Sequence, residues 1–129
     1  MNCIELFETE EYVVKECKDK LIIDSKLVKN NNNKICVISN RENTNKFITL
    51  FVLLSKQGFN VEILDNYKKQ DSDNVELLIE VENDCIKILR RGRPLTMICG
   101  RYSPTFILCA VDLIRHIHLY LTRCVSHSS

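Results

Sequence analysis

Glycine and proline are scarce in this chain, three and two among 129 residues, and that scarcity excludes fibrous and low-complexity classes. Charge of one sign is missing as well. With 18 basic residues against 17 acidic, the net charge of +1 lacks the basic excess expected of a nucleic-acid binder. No apolar run reaches the roughly 20 residues that a membrane-spanning helix needs. The opening residues, MNCIELFETEEYVV, are acidic where a signal peptide would be basic and then apolar. Together these absences predict a soluble, cytoplasmic protein. A CxxC pair is absent too, although seven cysteines stand at 3, 17, 36, 85, 99, 109 and 124. Their number is odd and most lie in apolar runs such as Ile35-Cys36-Val37, which predicts reduced thiols, not a disulfide framework.

What is present is 45% hydrophobic residues, enough at this length for one core and too little chain for two. Residues 1–33 read as an N-terminal extension. In it, Val13, Val14, Cys17 and Leu21 predict a short amphipathic helix from Glu10 to Leu21, with Ile4 to Phe7 or Leu21 to Ile23 as edge strands in the alternative. An asparagine run at 30–33 closes it as a solvated loop. Residues 34–123 form the predicted domain, and 124–129 a polar tail.

Ile35-Cys36-Val37-Ile38 is an apolar run suited to a strand buried on both faces. Phe47, Leu50, Phe51 and Leu54 then repeat at helical spacing, with Asn or Thr in 40–45 as cap and Gly58 as stop. Phe59 to Leu64 alternates as a second strand. Val75, Leu78, Ile79, Ile86 and Leu89 predict a second helix, and Pro94 to Cys99 a third buried strand. A third helix carries Ile107, Ala110, Val111, Ile114, Ile117 and Leu121 on one face. The expectation is an α/β three-layer sandwich, a short parallel sheet of order 2-1-3 flanked by helices on both faces. Its ligand or partner loops would be 39–45, 65–74 and 99–106, at the carboxyl ends of the strands.

Chemistry is thin in those loops. The first, Ser39-Asn-Arg-Glu-Asn-Thr, has no glycine and cannot cradle phosphate. His116 and His118 stand two apart on a helix and point to different faces, so they do not form a chelating pair. Arg90, Arg91, Arg93 and Arg101 form a local basic cluster, read either as a helix terminus or as a docking patch for an acidic partner.

Read as one string, KICVISNRENTNKFITLFVLLSKQGFNVEILD resembles the opening of a TIR domain or of its relative, the SEFIR domain. Ser39, Arg41, Thr44, Phe47, Gly58, Phe59 and Asp65 fill the family's roles. RPLTMICGRYSPTFILCAVDL resembles its third strand and following turn, through Tyr102, Cys109, Asp112 and Leu113. The 65–74 loop lacks the family's Pro-Gly, and the chain is short of two strands, so the resemblance implies a minimal or truncated member with a flavodoxin/TIR-like fold. A second resemblance is to the caspase large subunit, through GFNVEILDN and VDLIRHI. The catalytic cysteine motif is missing, which implies a caspase-like pseudoenzyme.

The expected function is therefore a non-catalytic protein–protein interaction module in innate immune or death-type (apoptosis) signalling, with protein partners, homotypic ones among them, and no cofactor. The interaction residues implied are Arg41, Tyr67, Lys68, Lys69, Arg90, Arg91, Arg101 and Tyr102. The alternatives are an NAD-cleaving TIR-type hydrolase using Asp112, which is one methylene shorter than that family's glutamate, and a small nucleic-acid-binding α/β domain.

Overall fold

The computed structural model describes residues 3–27, 33–65 and 77–127, the last seven of these as backbone only. The described residues form an eight-stranded mixed sheet: β1 (Ile4–Glu8), β2 (Tyr12–Cys17), β3 (Lys20–Ser25), β4 (Lys34–Ile38), β5 (Asn60–Leu64), β6 (Leu78–Glu82), β7 (Cys85–Arg90) and β8 (Arg93–Cys99). Their spatial order is β1-β2-β3-β5-β4-β6-β7-β8. Only β4 is parallel to both its neighbours, β5 on one side and β6 on the other; every other pairing is antiparallel.

Among the described residues three helices accompany the sheet: α1 (Arg41–Lys46), α2 (Ile48–Lys56) and α3 (Pro104–His127). Asn40 caps α1, its side-chain oxygen accepting from the Asn43 N–H at 2.7 Å. After α2 the chain turns through Gly58 at φ 99°, a conformation that a side chain would oppose. The helices pack on one face of the sheet. Phe47, Leu50, Phe51 and Leu54 meet Ile107, Ala110, Val111 and Ile114 of α3 over Ile35, Val37, Ile79, Val81, Ile86 and Ile88. A separate small cluster, Cys36, Leu78 and Leu89, lies on the opposite face, and no described helix covers that face.

This overturns the predicted three-layer sandwich with a short parallel sheet of order 2-1-3. The segment expected to be a second helix is the hairpin β6–β7, turning at Asn83, whose φ of 55° asparagine tolerates. Pro94 to Cys99 is a strand, but at the antiparallel edge and not at the centre. The predicted helix over Glu10 to Leu21 is the hairpin β2–β3, in which Cys17 pairs with Lys20 across a two-residue turn. Residues set apart as an N-terminal extension thus contribute three strands to the same sheet. The asparagine run lies largely outside the described residues, and α3 continues through His127 into the predicted tail.

The expected reduced thiols are corrected as well. Cys3 is bonded to Cys17 and Cys85 to Cys99, each closing a loop between neighbouring antiparallel strands; Cys36, buried, and Cys109, exposed, belong to neither bond. The sequence reading missed these bonds because residues 14 apart in a helix or loop need not meet, whereas a hairpin sets them side by side. Thiol titration of the unfolded, unreduced protein is expected to find at most three of the seven cysteines reactive, and seven would refute both bonds.

One buried polar atom stands out. Ser55 on α2 is fully buried, and its hydroxyl has no hydrogen-bond partner among the described residues. An unsatisfied buried hydroxyl costs about 1–3 kcal/mol. Ser55→Ala is therefore expected to raise stability by about 1 kcal/mol, read as a higher urea midpoint at unchanged slope. A lower midpoint would show that the hydroxyl is satisfied.

Candidate functional site

The sequence-predicted site residues fall into two places. Arg41 opens α1 just beyond the carboxyl end of β4, and Arg101 and Tyr102 follow β8 at the same end of the sheet. There Tyr102 packs edge-on against Phe47 with ring centroids 5.3 Å apart. Lys46 reaches Asp84 at 2.8 Å, and the Asn43 side-chain amide donates to the Val81 carbonyl at 3.4 Å. Ser39 is buried beneath them; its hydroxyl accepts from that of Thr44 at 3.0 Å and donates to the Asn40 carbonyl at 3.3 Å. These bonds tie the β4–α1 turn to the β6–β7 hairpin and make a polar rim.

Arg90, Arg91 and Arg93 lie at the other end of β8. Arg91 and Gly92 take φ of 50° and 79°, which makes the β7–β8 connection a two-residue primed turn closed by Arg90 opposite Arg93. A strand rises about 3.3 Å per residue, so roughly 20 Å separates the two ends of β8. The basic residues read as one local cluster are therefore two, one at each end of an edge strand. Tyr67, Lys68 and Lys69, with most of the 65–74 loop, lie outside the described residues.

No protein-family model, curated protein or solved structure matches the chain.

The strongest electrostatic feature lies elsewhere and was not anticipated. On the sheet face opposite the helices, the Glu62 carboxylate of β5 takes Lys20 of β3 at 2.9 Å on one oxygen and Lys34 of β4 at 2.7 Å on the other. Burial pushes the Glu62 pKa up, but the lysine hydrogen bonds together outweigh it and hold the carboxyl below its ordinary value. The hydrogen bond to Glu62 holds the Lys34 ammonium above its own. Ile22, Asp24 and Asn60 complete a shallow depression of about 390 Å³ around this pair. With both oxygens engaged and the charge held, Glu62 is unsuited to proton transfer or nucleophilic attack, and its geometry is that of a cross-strand brace.

Asp112, the candidate nucleophile or base, sits on the exposed side of α3 with its carboxylate 3.5 Å from Arg115 of the same helix. It faces solvent and not a cleft. His116 is exposed, its ring nitrogen 2.7 Å from the Asp112 carbonyl, while His118 is half-buried edge-on against Phe59. Among the described residues no group of three potential metal ligands converges.

The remaining candidate is β8 itself. Among the described residues it ends the sheet, with β7 as its one neighbour. Gly100 N–H donates to the Asp84 carbonyl at 3.0 Å, which makes Cys85–Cys99 and Lys87–Met97 the non-hydrogen-bonded pairs of the ladder. The backbone N–H and C=O of Met97 and Cys99 therefore point away from the protein. Leu95 and Met97 are exposed beside them, and Arg93 and Arg101 flank them. The sequence signal for this edge was the alternation in RPLTMIC, read as a buried strand because the run is mostly apolar.

Proposed function

We propose that this chain is a non-catalytic protein-interaction module that docks an acidic, extended segment of its partner along β8. The observation that carries the reading is the exposed β8 edge, with outward backbone groups at Met97 and Cys99, apolar side chains between, and an arginine at each end. Strand addition uses the backbone groups for affinity and the flanking charges for selectivity. The mixed surface charge and the engaged carboxylates of Glu62 and Asp112 favour docking over chemistry.

A signalling role belongs to the same proposal. No helix among the described residues is long and apolar enough to cross a membrane, and the two disulfides are the observation that weighs against a reducing compartment.

The test is peptide display on the immobilised protein. Selected peptides are expected to be acidic around a short apolar core, and to lose at least about tenfold in affinity for the Arg93→Glu/Arg101→Glu variant. Peptides without acidic enrichment, or binding indifferent to both arginines, would sink the proposal.

A further inference from the structure

The opposite edge of the sheet carries the complement of β8. β1 is exposed along its whole length, with Ile4 at 66%, Leu6 at 54% and Phe7 at 55% accessibility. The N-terminal 14 residues hold four glutamates, Glu5, Glu8, Glu10 and Glu11, and no basic residue. The segment from Arg90 to Arg101 holds four arginines and no acid. Across from the apolar stretch of β1, β8 exposes Leu95 at 47% and Met97 at 59%.

We infer that the partner of β8 is β1 of a second copy of this chain, so that the sheet continues head to tail from one molecule to the next. The inference rests on the docking role of β8 and names what fills it. Three observations converge on this pairing.

The first is direction. β4, β5 and β6 are mutually parallel, and the chain alternates outward from them, so β1 and β8 run in opposite directions within one sheet. A copy added in the same orientation therefore brings its β1 antiparallel to β8, with all helices on one face. The second is the placement of charge. In that antiparallel pairing the end of β1, with Glu8, Glu10 and Glu11, lies toward the start of β8, with Arg90, Arg91 and Arg93. A parallel pairing turns Glu8, Glu10 and Glu11 away from Arg90, Arg91 and Arg93, toward the single Arg101. The third is the alternatives. Pairing β1 with β1 sets glutamates against glutamates, and pairing β8 with β8 sets arginines against arginines, so like-charge contacts select the heterologous contact.

The outward backbone groups fit the same contact. Thr9 N–H donates to the Tyr12 carbonyl at 2.9 Å, which makes Glu8–Val13 a non-hydrogen-bonded pair and turns the Glu8 N–H and C=O outward. Neither edge carries a lysine, a common guard of sheet edges, and Pro94 blocks only the first turn of β8. A heterologous contact of this kind leaves one open edge at each end and propagates as a chain unless it closes into a ring.

Sedimentation velocity over a concentration series tests it. The wild-type protein is expected to grow in mean mass with concentration, and to lose mass as salt rises. Arg93→Glu/Arg101→Glu alone and Glu5→Lys/Glu8→Lys alone are each expected to remain monomeric, and an equimolar mixture to associate again, because each repaired contact joins opposite charges. Met97→Pro, which removes an outward N–H without breaking the β7 ladder, is expected to associate at least about tenfold more weakly. Far-ultraviolet circular dichroism checks that every variant is folded. An arginine double variant that associates as the wild type does would overturn the inference. So would wild-type protein that stays monomeric throughout. If acidic peptides still bind β8 in an arginine-dependent way while the protein stays monomeric, the docking role survives and the homotypic partner falls; if neither is seen, both fall.

Discussion

Phe51→Ala is expected to cost about 3–5 kcal/mol, the range for removing a fully buried aromatic side chain from a close-packed core. Phe51 lies on α2 with no exposed surface, at the centre of the cluster that joins both long helices to the sheet. Its loss removes apolar surface and leaves a cavity between α2, α3 and the central strands, which the neighbouring sheet cannot close without shifting. Against a typical domain stability of about 5–15 kcal/mol the variant remains folded but markedly weakened. The matching control is Leu108→Ala on the exposed side of α3, where a change within about 0.5 kcal/mol is expected. Urea unfolding of the two variants decides it. Equal shifts would mean that the helical layer is not seated on the sheet through Phe51.

The part of the fold that was legible in the sequence is the part written in local periodicity. Ile35 to Ile38 is apolar throughout because β4 is buried on both faces, and Phe47 to Leu54 keeps a helical period because α2 buries one side. The β6–β7 hairpin hid for the opposite reason. Leu77, Leu78 and Ile79 are all buried, one after another, so the alternation that marks a strand is lost near the sheet centre. Leu78, Ile79, Ile86 and Leu89 then fit a helical spacing by coincidence. The deciding signals were the turns, Asn83-Asp84 and Arg91-Gly92, each joining strands two residues apart.

Strand order was not legible at all. β3 pairs with β5 some 40 residues later, and nothing in Lys20 to Ser25 names that partner. The same holds for the brace: Lys20 and Glu62 are 42 residues apart and meet only because β3 and β5 are neighbours. The arginines failed in the other direction. Arg93 and Arg101 are close in sequence and were read as close in space, but a strand spreads eight residues over about 26 Å where a helix would span about 12 Å. The expectation of docking rested on the resemblance and on the lack of catalytic groups in the sequence, while the edge proposed for it required the sheet.

Glu62→Ala is expected to destabilise the protein by about 2–3 kcal/mol at neutral pH. Removing one partner from a buried ion pair costs about 3–5 kcal/mol, and the outer lysine here, Lys34, is about half exposed, which lowers the figure. The loss leaves Lys20 and Lys34 facing each other across β5 without a counter-charge. The effect has a defined pH window. Because the folded-state pKa of Glu62 is lowered, its stabilisation is present above the unfolded value of about 4.3 and is lost as pH falls through the folded one. Because that of Lys34 is raised, its share is present below about 10.4 and is lost as pH rises through the folded value. The stability gap between wild type and Glu62→Ala should therefore be level across the neutral range and narrow at both extremes. Glu62→Gln, which keeps shape and one acceptor, should fall between them. Urea midpoints at pH 7 and in mild acid measure the gap, and a gap unchanged by acid would show that the lysines do not hold the Glu62 charge.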